Sequence, residues 1–187
     1  MKNTKLQKLC VCAIMIALST VLSLVKIWTM PLGGSLTLLS MLPVCFISIY
    51  YGLGAGFASA FVYSLIQLAL DIPAAMSWGM DARMWAGCVA FDYIIAFTVL
   101  GIAGIFRKKG YGGIIAGTVL ACVLRFISHV ISGTIFFDIW MPEGWSNPFI
   151  YAICYNGAFM LPEVILTSIG AFFVYKAFMS HAKIKIQ

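Results

Sequence analysis

The chain has 187 residues, of which 63% are apolar, 14% aromatic and 10% charged, with a mean hydropathy of +1.02. Soluble domains carry about 25% charged residues, so this composition argues against a cytosolic enzyme, a nucleic-acid binder or a disordered regulator. The formal net charge of +6 is no sign of nucleic acid, because the basic residues lie in short clusters between long apolar runs, as topology charges do.

The length suits one domain, residues 1–187, of about six membrane-spanning helices of roughly 20 residues each. The first span runs from about Leu6 to Ile27. Its basic start resembles a secretory signal, but the apolar run from Leu9 to Val25 is long for one and no small-x-small cleavage site follows, so it reads as a retained span. A Pro/Gly-rich connector from Trp28 to Ser35 leads to a second span, Leu36 to Tyr51, with Pro43 inside it. After a Gly52-Leu-Gly54 turn comes a short third span, Ala55 to Leu70, and then a loop from Asp71 to Arg83 holding Pro73, Trp78 and Asp81. The fourth, fifth and sixth spans cover Met84 to Phe106, Ile114 to Phe137 and Phe149 to Met179.

Lys2, Lys5 and Lys8 precede span one, Arg107, Lys108 and Lys109 separate spans four and five, and Lys176, Lys183 and Lys185 follow or end span six. With an even number of spans these clusters share one side, and the bias of basic residues toward the cytoplasm gives an N-in, C-in topology. Asp71, Asp81, Asp138 and Glu143 then fall on the outer side. The expected fold is an all-α, six-helix integral membrane bundle.

Six cysteines, Cys10, Cys12, Cys45, Cys88, Cys122 and Cys154, form no CxxC pair and have no histidine at ligand spacing, which supports neither a metal site nor a disulfide framework. More telling are four ionisable residues within spans: Asp92, Arg125, His129 and Glu163. Each costs about 2.5–3.5 kcal/mol at a bilayer centre on insertion scales, so each requires a partner or a water-filled cavity. Arg125 and His129 share one helix face, and span directions bring Asp92 and His129 together in the outer half of the bundle. One reading has Arg125 pairing with Asp92 or Glu163 as a structural bridge. The other is a ligand site, because Phe137, Tyr151, Tyr155 and Asn156 gather around the same point, and Asn156 needs hydrogen-bond partners inside a span. Trp85 falls on the Asp92 face of the fourth span, while Trp140 and Trp145 suit a lipid-facing belt. A carboxylate, an imidazole, a phenol and an amide among flat rings suit a small, flat, cationic ligand.

There is no phosphate loop and no HExxH, GxSxG or Cys/His nucleophile pattern. No duplicated half suggests an inverted-repeat transporter. These features point to a subunit that binds a ligand and borrows its energy from partners, without catalysis or cofactor.

Pro31-Leu-Gly-Gly-Ser35-Leu-Thr followed by Met41-Leu-Pro43, Phe91-Asp92-Tyr93, Leu124-Arg125-Phe126, His129 through Gly133 to Phe137, Ile150-Tyr151 and Tyr155-Asn156 together resemble the thiamine-specific substrate-binding subunits (S components) of bacterial energy-coupling factor vitamin transporters. The resemblance covers nearly the whole chain. It implies a carboxylate at Asp92 facing the thiazolium charge, a hydroxyl from Tyr93, a histidine at His129 beside the ligand, a stacking ring at Phe137, and orienting groups at Tyr151 and Asn156. It departs at two positions. Phe137 stands where some members carry Trp, and Gly34 where some carry an aromatic, so the second position offers the ligand no ring unless Trp28 supplies one.

The resemblance further implies docking of a small-xxx-small stretch, Ala13 to Ala17, on a shared transmembrane subunit, energy from two ATPase subunits, and residence in the bacterial cell membrane. Trp28, Gly33, Gly34 and Ser35 are the expected lid, the glycines permitting backbone change. The alternatives are an S component for another vitamin or precursor, such as the pyrimidine precursor or riboflavin, and, from a different class, a membrane-embedded enzyme using Asp92 and His129. A buried carboxylate distinguishes thiamine from a neutral ligand, which would gain little from it.

Overall fold

The computed structural model describes residues 4–181, with side chains from Lys5 to Ala177; Lys2, Lys183 and Lys185 lie outside the described residues. In chain order the elements are α1 (Thr4–Leu24), a hairpin of β1 (Lys26–Thr29) and β2 (Ser35–Thr37), α2 (Leu42–Tyr51), α3 (Leu53–Ala75), α4 (Ala82–Gly104), α5 (Gly110–Phe136) and α6 (Pro148–His181). Among the described residues, α1, α3, α4, α5 and α6 are long and apolar enough to cross a bilayer.

Two elements differ from the sequence expectation. The second helix starts at Leu42 rather than Leu36 and has ten residues, about 15 Å at 1.5 Å per residue and half of the roughly 30 Å hydrocarbon core. The residues before it are drawn into strand β2, which pairs antiparallel with β1 through Trp28 with Leu36 and Thr29 with Ser35. Leu39 then takes a positive φ of 58°, unfavourable for helix, and Pro43 sits at the helix start, where its missing N–H costs nothing. The chain is thus not purely α-helical; its first connector is a short β-hairpin. The third helix, conversely, continues through Pro73 to Ala75 and is extended by a 3-10 turn, Met76–Trp78, into the expected loop.

Helix α2 is the centre of the bundle. Leu42 through Ile49 are all buried, as its all-round apolar sequence requires. Ser48 joins it to α4: its hydroxyl donates to the Gly101 carbonyl and accepts from the Gly104 N–H at 3.0 Å. A Cβ on Gly104 would overlap the Ser48 backbone, so glycine there sets how closely the two helices approach. Around this axis the core contains Tyr63, Leu100 and Ile114, all fully buried. Helix α1 is peripheral and exposes Leu9, Ile14, Leu18 and Val21, as a lipid-facing helix would.

The basic clusters gather at one end. Lys8 Nζ lies 5.3 Å from the Tyr51 ring, Arg107 donates to the Tyr50 carbonyl at 3.3 Å, and Tyr111 packs edge-on against Tyr175 at 5.0 Å. The hairpin, the end of α3 and the end of α5 meet at the other: Lys26 Nζ is 3.9 Å from Asp71, and Trp78 packs against Phe137 at 6.3 Å.

Candidate functional site

Helix α4 is not uniform. Between Cys88 and Ile95 it widens to a π-helix, whose i→i+5 bonding is rare and concentrated at functional sites. The wider turn lets consecutive residues face the same way, so that Asp92 and Tyr93 both join Cys88 and Phe97 on the wall of one cavity. The cavity measures about 280 Å3 and lies between the hairpin, α3, α4, α5 and α6.

Asp92 is held on both oxygens. His129 Nδ1 lies 2.8 Å from Oδ1, and the Ser132 hydroxyl, one turn further along α5, donates to Oδ2. Arg125, one turn in the other direction, donates from Nε to His129 Nε2 at 3.2 Å, with its guanidinium 4.1 Å above the Phe97 ring. The structural-bridge expectation for Arg125 is therefore corrected. Among the described residues the pair between a permanent cation and a carboxylate is Lys26–Asp71; Arg125 bonds the imidazole, not a carboxylate. On α6, Asn156 donates to the carbonyls of Ala152 and His129 at 2.9 and 3.4 Å, which anchors α6 to α5 beside the cavity.

The hairpin lines one side of the cavity and is pinned at two points on α6. The Tyr155 hydroxyl accepts from Leu32 N–H at 3.0 Å and donates to the Gly33 carbonyl at 3.1 Å. Eight residues on, Glu163, only 2% exposed, accepts from the Thr37 N–H at 2.9 Å and the Thr37 hydroxyl at 2.7 Å. Between these points Gly33 and Gly34 adopt φ of 81° and 79°, open to glycine at no steric cost. A Cβ on Gly33 would press on the Trp78 ring, and one on Gly34 on the Phe159 ring.

Of the expected residues, Asp92, Tyr93, His129, Phe137, Tyr151 and Asn156 all line the cavity, as do Gly33, Gly34 and Ser35. Trp28 does not. It is half-exposed on β1, and Thr29 and Met30 take the wall instead, so it does not occupy the place of an aromatic at position 34. Trp85 lies outside the cavity, in a shallow surface depression with Val89 and Ile94, because the π-turn rotates the Asp92 face away from it. Trp140 and Trp145 are also off the wall, packed on Phe137 and Tyr151 at 5.3 Å each. Ala13 and Ala17 are exposed on the outer face of α1.

Sequence reasoning missed the wall roles of Trp78, Phe159 and Glu163, while Tyr155, expected around the site, does line it. Phe159 and Glu163 continue the helical spacing of Ala152, Tyr155 and Asn156 on α6, so periodicity contained them. Trp78 carried no local signal; only the continuation of α3 brings its ring beneath the hairpin. The wall carries three carboxylates, Asp71, Asp92 and Glu163, against the cations Lys26 and Arg125, an excess of negative charge suited to a cationic guest.

Among the described residues, five helices long and apolar enough to cross a bilayer, with a ring-lined, acidic cavity at one end, define a multi-pass helical membrane protein with a site for a small molecule. Residues 9–183 match the thiamine transporter protein family (Thia_YuaJ), and the chain belongs to that family, one of transporters and not of enzymes. It is 32% identical over 182 residues to the thiamine transporter ThiT of Bacillus subtilis (strain 168), covering 90% of each chain. Its fold is similar to that of ThiT from Listeria monocytogenes, with a TM-score of 0.76 at 22% identity over 95% of this chain and 98% of that one. It is also similar to the S component of a bacterial ECF transporter, with a TM-score of 0.66 at 17% identity over 94% and 97%.

Proposed function

We propose that this chain is the S component of an energy-coupling factor transporter, capturing extracellular thiamine for ATP-driven uptake. The observation that carries the reading is Asp92, a carboxylate held by His129 and Ser132 on the wall of a cavity lined by aromatic rings. Thiamine is a cation of two flat rings joined by a methylene, and a carboxylate in a medium of low dielectric attracts such a charge far more strongly than in water. Phe137 stacks on the guest, Tyr93 and Tyr151 supply hydroxyls and Asn156 an amide, and no catalytic group or cofactor is needed.

In the plasma membrane of a bacterium the chain sits N-in and C-in, its basic end in the cytoplasm and its hairpin outside. Helix α2, too short to cross alone, contributes the sixth, half-length segment of the single domain 1–187. The hairpin from Trp28 to Ser35 is the lid. Ala13 and Ala17 dock on the shared transmembrane subunit, which two ATPase subunits drive; their exposure on α1 leaves that face open.

Calorimetric titration of the purified chain tests the reading. Saturable thiamine binding, not matched by riboflavin, is expected, and Asp92→Asn weakens it at least about tenfold, or ~1.4 kcal/mol. Absence of saturable thiamine binding, or unchanged affinity in Asp92→Asn, would overturn it.

A further inference from the structure

We infer that Arg125 is a positioning residue that fixes the tautomer of His129 and thereby leaves the full negative charge of Asp92 available to a cationic ligand. This rests on the thiamine-binding reading but concerns a residue that reading does not use. An arginine has only donors to offer. Its Nε–H, 3.2 Å from His129 Nε2, therefore needs a lone pair on that nitrogen. A neutral imidazole with an acceptor at Nε2 carries its proton on Nδ1, and Nδ1 is the atom 2.8 Å from Asp92. The chain of donation runs one way, from Arg125 to His129 to Asp92.

An imidazolium would turn two N–H donors and two positive charges toward each other across the same gap. The guanidinium is also held by the Phe97 ring, whose centre lies 4.1 Å from its carbon. The other elements packed on His129 do not reverse this. Helix α6 offers it the edge of Phe159 at 6.0 Å and the Asn156 amide on its carbonyl, both neutral, while Glu163 on the same helix has both oxygens held by Thr37. From α4 the charged partner is Asp92 itself.

The consequence is functional. Were His129 charged, it would form an internal ion pair with Asp92, and a ligand cation would have to compete with it. Held neutral, His129 and Ser132 orient the carboxylate without cancelling its charge. A carboxylate has about four acceptor sites, so two hydrogen bonds leave room for the guest.

Two measurements test this. In the chain carrying His181→Gln, His129 is the single histidine, and its nitrogen NMR spectrum should show a neutral ring protonated on Nδ1 from about pH 7.5 to about pH 5.5, where an ordinary imidazole takes up a proton. Over that interval thiamine affinity of the native chain should change by less than about threefold. Arg125→Met should lose about tenfold on going to the lower pH, as His129 charges and pairs with Asp92, and Arg125→Lys, which keeps a donor, should restore the flat profile. An imidazolium or an Nε2-protonated ring in the native chain at neutral pH would overturn the inference, as would a flat profile in Arg125→Met. A native chain that binds no thiamine would instead bring down the transport reading, while the nitrogen spectrum would still decide the tautomer.

Discussion

Glu163 and Thr37 lie 126 positions apart in sequence and are joined by two hydrogen bonds, from the Thr37 N–H at 2.9 Å and its hydroxyl at 2.7 Å. This pair ties the β2 end of the hairpin to the middle of α6, on the wall of the cavity. A buried carboxylate with two donors from one residue fixes this end of the hairpin. Glu163→Ala leaves the Thr37 N–H without its partner, which costs about 1–3 kcal/mol. The expected outcome is a lower melting temperature in detergent together with faster hydrogen exchange across residues 30–40; unaltered exchange there would show that the pair does not hold the lid.

The hairpin tip rests on rings that leave no room for a side chain. Gly34→Ala introduces both a strained positive φ, of about 1–3 kcal/mol, and an overlap with Phe159. Gly79, with φ of 68° and open space around it, provides a matched control. Both substitutions should lower stability, but only Gly34→Ala should weaken thiamine affinity, by at least about tenfold, as read by calorimetry. Equal affinities in the two variants would separate the lid tip from the ligand.

All five tryptophans belong to the described residues, and Trp78 is the one that lines the cavity. Ligand-induced quenching of intrinsic fluorescence should therefore vanish in Trp78→Phe while calorimetric affinity falls by less than about fivefold, because a ring still faces the guest. Quenching that survives in Trp78→Phe would assign the signal to Trp28, Trp85, Trp140 or Trp145.

Replacing Ala13 and Ala17 with Leu adds bulk to the exposed face of α1. Thiamine binding by the isolated subunit should be unchanged within about twofold, whereas uptake into vesicles holding the complete energy-coupling complex should fall at least about tenfold. Loss of binding in the isolated chain would mean that this face supports the bundle instead of a partner.

Much of this architecture was legible from the residues because a bilayer permits few solutions. Five long apolar runs appear as helices close to where hydropathy put them, since lipid leaves backbone groups no partners but their own helix. The meeting of Asp92 with His129 followed from the direction of two helices and their spacing. Local signals failed where tertiary partners outbid them. Leu36 to Met41 is apolar enough to read as helix, yet Thr37 is taken by Glu163 and Leu36 by the hairpin ladder. Trp85 and Trp28 were assigned by regular periodicity and by proximity, and a π-turn and a strand pair turned each away from the cavity.

The sequence by itself determined that the chain is an apolar bundle in a membrane, that its basic residues mark one end, and that ionisable groups within the spans needed each other. These follow from hydropathy and the cost of burying charge, which act on each segment separately. Only the tertiary structure decided that Arg125 faces an imidazole and not a carboxylate, that Glu163 holds the hairpin, and that Trp78 forms the wall beneath it. Each depends on a distance of a few ångströms between residues on different elements or on successive turns. That distance is set by how the helices pack, and no single helix encodes it.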